Sequence, residues 1–107
     1  MLLVKIEKYR THWSLRMLTG KDKGLLVSTC FDSEEEASTY AASQAYELVR
    51  STALYKRIEI VKGVWNSMFY AFDLDGNQVL TDYSFRTEKA LKDIIDWHTD
   101  YIEKGLR

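Results

Sequence analysis

Three groups of residues in this sequence are of types that do chemistry, and each also has a simpler structural role. Cys30 with His12 or His98 would pair a thiol with an imidazole base, the minimum for nucleophilic catalysis. A thiol reacts only when its pKa is lowered, and no signature of such a site surrounds this one. A small apolar residue inside a strand is the reading that fits. Asp73, Asp75, Gly76 and Asn77 resemble a calcium loop. That loop needs glycine at its sixth position and glutamate at its twelfth, whereas Gly76 is fourth from Asp73 and no glutamate stands in the required place. A hairpin turn accounts for these residues. Glu34, Glu35 and Glu36 form an acidic run that helix capping explains more simply than mimicry of DNA. Two histidines and one cysteine do not supply a structural zinc site. The sequence therefore predicts no catalytic residue, no metal site and no cofactor.

The elements that hold these residues can be read from periodicity. Val4 and Ile6 alternate with Lys5 and Glu7, and Trp13, Leu15 and Met17 with Ser14 and Arg16, so two strands open the chain. A glycine-bounded loop, Thr19 to Gly24, leads to a third strand, Leu25 to Cys30, rich enough in Leu and Val to be largely buried. Ser33 followed by Glu36 is a capping box. Ala37, Tyr40, Ala41, Ala45, Leu48 and Val49 continue at helical spacing, which predicts a helix from about 34 to about 50. After a polar break at Ser51-Thr52, Ile58 and Ile60 mark a fourth strand. Trp65 to Leu74 reads as a long apolar strand, with Asp75-Gly76 as a two-residue hairpin turn into Gln78 to Tyr83. Thr87 caps a last helix whose stripe is Leu91, Ile94, Ile95, His98, Tyr101 and Ile102, with Gly105 ending it. His98 on that stripe reads as a histidine at the core edge.

Composition restricts the function classes. The 107 residues suit one domain, 1–107, because two separate cores of half that size would be marginal. A hydrophobic share of 46% with 29% charged residues belongs to a globular chain rather than a disordered one. The formal net charge of −1 provides no global field to attract nucleic acid or an anionic membrane. A single cysteine rules out an internal disulfide framework and fits a reducing compartment. The opening residues carry Lys5, Glu7, Lys8 and Arg10, unlike a signal peptide, and no apolar run is long enough to span a bilayer. A soluble, cytoplasmic protein without a membrane partner is expected.

The predicted order is βββα followed by βββα, an internal repeat with units of about 1–52 and 53–107. Lys5-Ile6-Glu7 and Trp13 match Arg57-Ile58-Glu59 and Trp65 at equal spacing, and Phe31-Asp32-Ser33-Glu34 matches Phe85-Arg86-Thr87-Glu88. The expected fold is α+β, a mostly antiparallel sheet with both helices packed on one face. In the stretches Trp13 to Ser33 and Phe69 to Thr87, each with an aromatic strand, a glycine turn and a strand running into a capped helix, the chain resembles the YegP-like domain of unknown function. That resemblance implies a fold and no activity. Arg57 to Trp65, with Tyr70 and Asp75-Gly76, is similar to a stretch of a small type I-F anti-CRISPR protein. This second resemblance implies a phage-encoded inhibitor.

The strand Trp65 to Leu74 is apolar on both sides: Met68, Tyr70, Phe72 and Leu74 on one, Trp65, Phe69 and Ala71 on the other. A sheet with helices on one face should carry polar residues on the other. Either the second side is shielded by side chains or a long loop, or it meets another protein or a second copy of the chain. The second alternative predicts a non-catalytic protein-interaction module or small inhibitor, of the kind a phage or mobile element encodes, binding through its sheet face or hairpins. Its contact residues would be Arg57, Trp65, Phe69 and Tyr70. The other class of function considered is nucleic-acid binding. From Glu34 onward the order αβββα is that of a double-stranded-RNA-binding domain, with Lys89 and Lys92 at the start of the last helix; such a domain would use these two with Lys56 and Arg57. That family's proline-containing loop has no counterpart in a chain without proline.

Overall fold

The computed structural model describes residues 2–81 and 84–103, with the backbone alone described for 28–30 and 99–103. The expectations for the Cys30 thiol, Tyr83, the Tyr101 and Ile102 side chains and Gly105 lie outside the described residues. The elements are β1 (Leu3–Tyr9), β2 (His12–Met17), β3 (Leu26–Phe31), α1 (Glu34–Ser43), β4 (Glu47–Tyr55), β5 (Ile58–Gly63), β6 (Phe69–Phe72), β7 (Gln78–Val79) and α2 (Glu88–Glu103). The strands form one sheet in the order β3-β2-β1-β4-β5-β6-β7. Every neighbouring pair is antiparallel except the central β1 and β4, which run parallel with Val4 beside Leu48.

Residues paired across neighbouring strands share a face, so the register assigns every side chain a side. Val4, Ile6, Leu15 and Leu48 fall on one face and are buried with Ala37 and Ala41 of α1. Ile60 and Ala71 fall on that same face, buried with Leu91 and Ile95 of α2. Both helices therefore cover one face, as the sequence predicts. The repeat is one of element order. The two meanders step outward from β1 and β4 in opposite directions beneath helices on a common face, a relation that no rotation of one unit onto the other produces.

Several boundaries differ from the sequence reading. The helix expected to reach about 50 ends at Ser43, and residues 47–55 form β4 instead. The stop is a Schellman turn: Tyr46 N–H donates to Ala41 O at 3.0 Å and Ala45 N–H to Ala42 O at 3.1 Å, with Ala45 at φ +58. The usual glycine is absent, so the sequence hides the turn. Topology makes β4, not β5, the counterpart of β1. The match of Lys5-Ile6-Glu7 to Arg57-Ile58-Glu59 is thus displaced by one strand, and the unit boundary at 52/53 falls inside β4. β3 is an edge strand, with Leu25 and Leu26 exposed rather than buried.

The long aromatic strand is only Phe69–Phe72. Before it, the Asn66 side chain pulls residues 64–67 out of the sheet: its Oδ1 accepts from Met68 N–H and its Nδ2 donates to Glu47 Oε1. A Cβ at Gly63 would collide with that amide, which is why this position is glycine. After the strand, the hairpin is a three-residue loop closed by Asp73 N–H to Asn77 O, with Gly76 at φ +85, rather than a two-residue turn. Beyond it β7 spans only Gln78–Val79, shorter than the expected Gln78 to Tyr83.

Two other hairpin turns are tight and strained. The two-residue link Arg10-Thr11 has Arg10 at φ +57, and Lys56-Arg57 has both residues at positive φ, +50 and +68. These are the positions where Asn-Gly is favoured, and each bulkier residue there costs on the order of 1 kcal/mol. Among the described residues no helix is long and apolar enough to cross a membrane.

Candidate functional site

The face without helices carries an open concavity. Register places Leu3, Lys5 and Glu7 of β1, Ser14 and Arg16 of β2, Val49 and Ser51 of β4, Glu59 and Val61 of β5, and Tyr70 and Phe72 of β6 on this side. One end is apolar and closed. Phe72, 1% exposed, packs with Leu3, Val49, Val61 and Leu18, the last supplied by the loop after β2. The remaining part is an open groove of about 650 Å³, bordered by that loop and by the Asp73–Gly76 turn. The two borders meet where Lys23 Nζ donates to Asn77 Oδ1 at 2.6 Å.

Lys5, Arg16 and Glu59 on the floor of the groove belong to an ion-paired ladder that Glu7 extends beyond it. Arg16 Nε holds Glu7 at 3.0 Å, and Lys5 Nζ lies 3.7 Å from Glu7 and 3.0 Å from Glu59. Ser51 Oγ donates to Glu59 Oε2 at 3.1 Å, and Arg16 Nη1 to Gly24 O at 2.8 Å. Two cations and two carboxylates compensate one another. Each carboxylate accepts from a cation. Above this polar floor stand two leucines, Leu54 at 68% and Leu74 at 57% exposure. Among the described residues no three His, Cys, Asp or Glu side chains cluster as a metal site.

The sequence-predicted contact residues do not gather in one place. Arg57 and Trp65 are both exposed, but they lie beyond opposite ends of β5. Phe69 faces α2 and is half-buried, with Lys62 Nζ 5.7 Å from its ring centre. Tyr70 points to the opposite face, half-buried against the Leu3–Phe72 cluster, its hydroxyl 3.4 Å from Asn66 Nδ2. The second side of the aromatic strand is therefore shielded by neighbouring side chains and the loop carrying Leu18. Sequence reasoning misses Leu54, because a bulge between Ser51 and Ala53 fixes its side. Leu74 does carry a signal, since strand alternation puts it on the same face as Tyr70 and Phe72.

The basic residues considered for nucleic acid are largely engaged. Lys89 pairs with Asp93 at 2.9 Å, Lys92 with Glu88 at 3.1 Å and Lys56 with Asp96 at 2.6 Å. Tyr55 donates to Asp96 Oδ1 at 2.8 Å, and Lys92 Nζ lies 5.1 Å from the Tyr55 ring centre. Hydrogen bonds from Lys56 and then Tyr55 hold the Asp96 carboxyl below its ordinary range, and the bond to Asp96 pushes the Tyr55 phenol up. The cluster ties α2 to the end of β4. His12 lies at the start of β2 and His98 on α2 beside Trp97, so the two imidazoles are on different halves of the sheet.

No family model, curated protein or solved structure matches the chain.

Proposed function

We propose that this chain is a non-catalytic protein-binding module, acting as a small inhibitor does by occupying a partner's surface, with the helix-free groove as its contact face. The observation that carries the reading is the pair Leu54 and Leu74. Both are more than half exposed and line one open concavity whose cations Lys5 and Arg16 are paired with Glu59 and Glu7. Water-facing leucines gain about 1–2 kcal/mol each when a partner covers them. An ion-paired floor adds specificity rather than affinity, because a partner must match its alternating charges. The two bordering turns extend the contact beyond the sheet.

The experiment is affinity capture from the cell that makes the protein, comparing the natural chain with a Leu54→Asp, Leu74→Asp double variant. The expected result is a stoichiometric partner retained by the first and lost by the second, with the melting temperatures of the two alike. Recovery of the same protein by both would move the contact face elsewhere.

A further inference from the structure

The two strained hairpin turns lie at the same end of the sheet, because β1 and β4 run parallel and each turn follows the end of one of them. Both present cations next to a tyrosine: Lys8-Tyr9-Arg10 at the end of β1, and Tyr55-Lys56-Arg57 at the end of β4. Among described residues other than glycine, those with left-handed backbone are Arg10, Ala45, Lys56, Arg57 and Leu80. Ala45 terminates a helix, and the three in the hairpin turns are all cations. Asparagine or glycine would fit those turns with less strain, so the sequence tolerates an unfavourable backbone in order to hold positive charge there. Strain of this kind points to a site rather than to packing.

Lys8, Arg10 and Arg57 are exposed, and among the described residues none has a carboxylate partner. This sets them apart from Lys56, Lys89 and Lys92. Tyr9 is 67% exposed, and the Arg10 guanidinium carbon lies 5.4 Å from its ring centre. A ring that stays uncovered beside a planar cation is a stacking platform, and unpaired bases stack on such pairs. A duplex keeps its bases inside, so only a single strand can use the ring. We propose that this end of the sheet binds single-stranded nucleic acid, with Lys8, Arg10 and Arg57 taking backbone phosphates and a base stacking on Tyr9. The site adjoins the groove through Glu7 and Arg16, and it does not depend on the function assigned to the groove.

The probe is a fluorescein-labelled oligothymidylate, about 15 nucleotides long, followed by anisotropy. Three phosphate contacts on a single strand predict an affinity that falls about 100-fold over a tenfold rise in salt. An Arg10→Asn, Arg57→Gly variant should melt higher than the natural chain, because the turns are relieved, yet bind at least about tenfold more weakly. Tyr9→Ser should weaken binding while leaving the salt dependence unchanged. Absence of binding at about 100 μM protein and about 50 mM salt would overturn the proposal, as would unaltered affinity in the turn variant. Equal affinity for labelled poly-L-glutamate would overturn it too, and would assign the patch to an acidic protein partner.

Discussion

Lys5 of β1 reaches across β4 to Glu59 of β5, Nζ to Oε2 at 3.0 Å, although 54 positions separate the two residues. The ammonium side chain is only 14% exposed and has a second carboxylate, Glu7, at 3.7 Å. The pair bridges the two halves of the chain on the face that no helix covers. Glu59→Ala leaves a largely buried cation with a weaker partner and should cost about 1–2 kcal/mol in urea unfolding. The double variant Lys5→Met, Glu59→Leu replaces both charges by apolar groups of similar size and should recover most of that loss. Equal destabilisation by the single and double variants would mean that the methylene packing, not the charge pairing, matters at this site.

Ala45 occupies a backbone conformation that disfavours any side chain, at φ +58. Its N–H and that of Tyr46 close the α1 terminus, so the conformation is required by the strand beyond it. Ala45→Gly removes the steric penalty while adding freedom to the unfolded chain, and the net gain should be about 0.5–1 kcal/mol. Thermal melting measures it directly. A lower melting temperature would mean that the helix end is closed in some other way.

That same residue shows where reading the sequence works and where it stops. Helix starts are legible because their signal is local. Ser33 Oγ accepts from Glu36 N–H at 3.0 Å, and Thr87 Oγ1 from Ala90 N–H at 3.1 Å. The capping box is nearly right: Glu36 reaches back to Asp32 N–H rather than to Ser33. The end of α1 is illegible because Ala45 stands where glycine normally marks a stop. Leu48 and Val49, which are buried on opposite faces of β4, also happen to continue the helical spacing. The shielding of Phe72 is one of two alternatives the sequence leaves open, since it depends on Leu18 folding over from another hairpin. The groove is least legible of all. Its floor joins β1, β2, β4 and β5, and such long-range pairing leaves no trace in neighbouring residues.

The tie between α2 and the end of β4 should give the protein a defined pH response. Asp96 is held below its ordinary carboxylate range, so its contribution is present above the unfolded value and lost as pH falls through the folded one. Tyr55 is pushed above its ordinary range, so its contribution is present below the unfolded value and lost as pH rises through the folded one. The melting temperature of the natural chain should exceed that of Asp96→Asn near neutral pH, and the gap should narrow as pH falls through the lowered carboxylate range. A gap that stays constant into strong acid would mean that the carboxylate's charge does not contribute.

Phe69 and Trp65 are alike predicted from the sequence as contact residues, and the structure gives them different surroundings. Phe69 faces α2 within the cluster of Ile60, Ala71, Phe85, Leu91 and Ile95, and is half-buried there. Trp65 stands in the loop that Asn66 holds out of the sheet and is largely exposed. Removing an aromatic ring from a half-buried site forfeits both its transfer energy and its contacts, so Phe69→Ser should cost about 2 kcal/mol. Trp65→Ser should change stability by less than about 0.5 kcal/mol. Urea unfolding of the two variants reads this difference, and partner capture adds a second test. A loss of binding by Trp65→Ser at unchanged stability would extend the contact face to that loop. Binding retained by Phe69→Ser in the cold, where the weakened fold persists, would confine Phe69 to packing. If Phe69→Ser instead melts with the natural chain, the α2 side of the sheet is not the continuous core that the packing of Leu91 and Ile95 indicates.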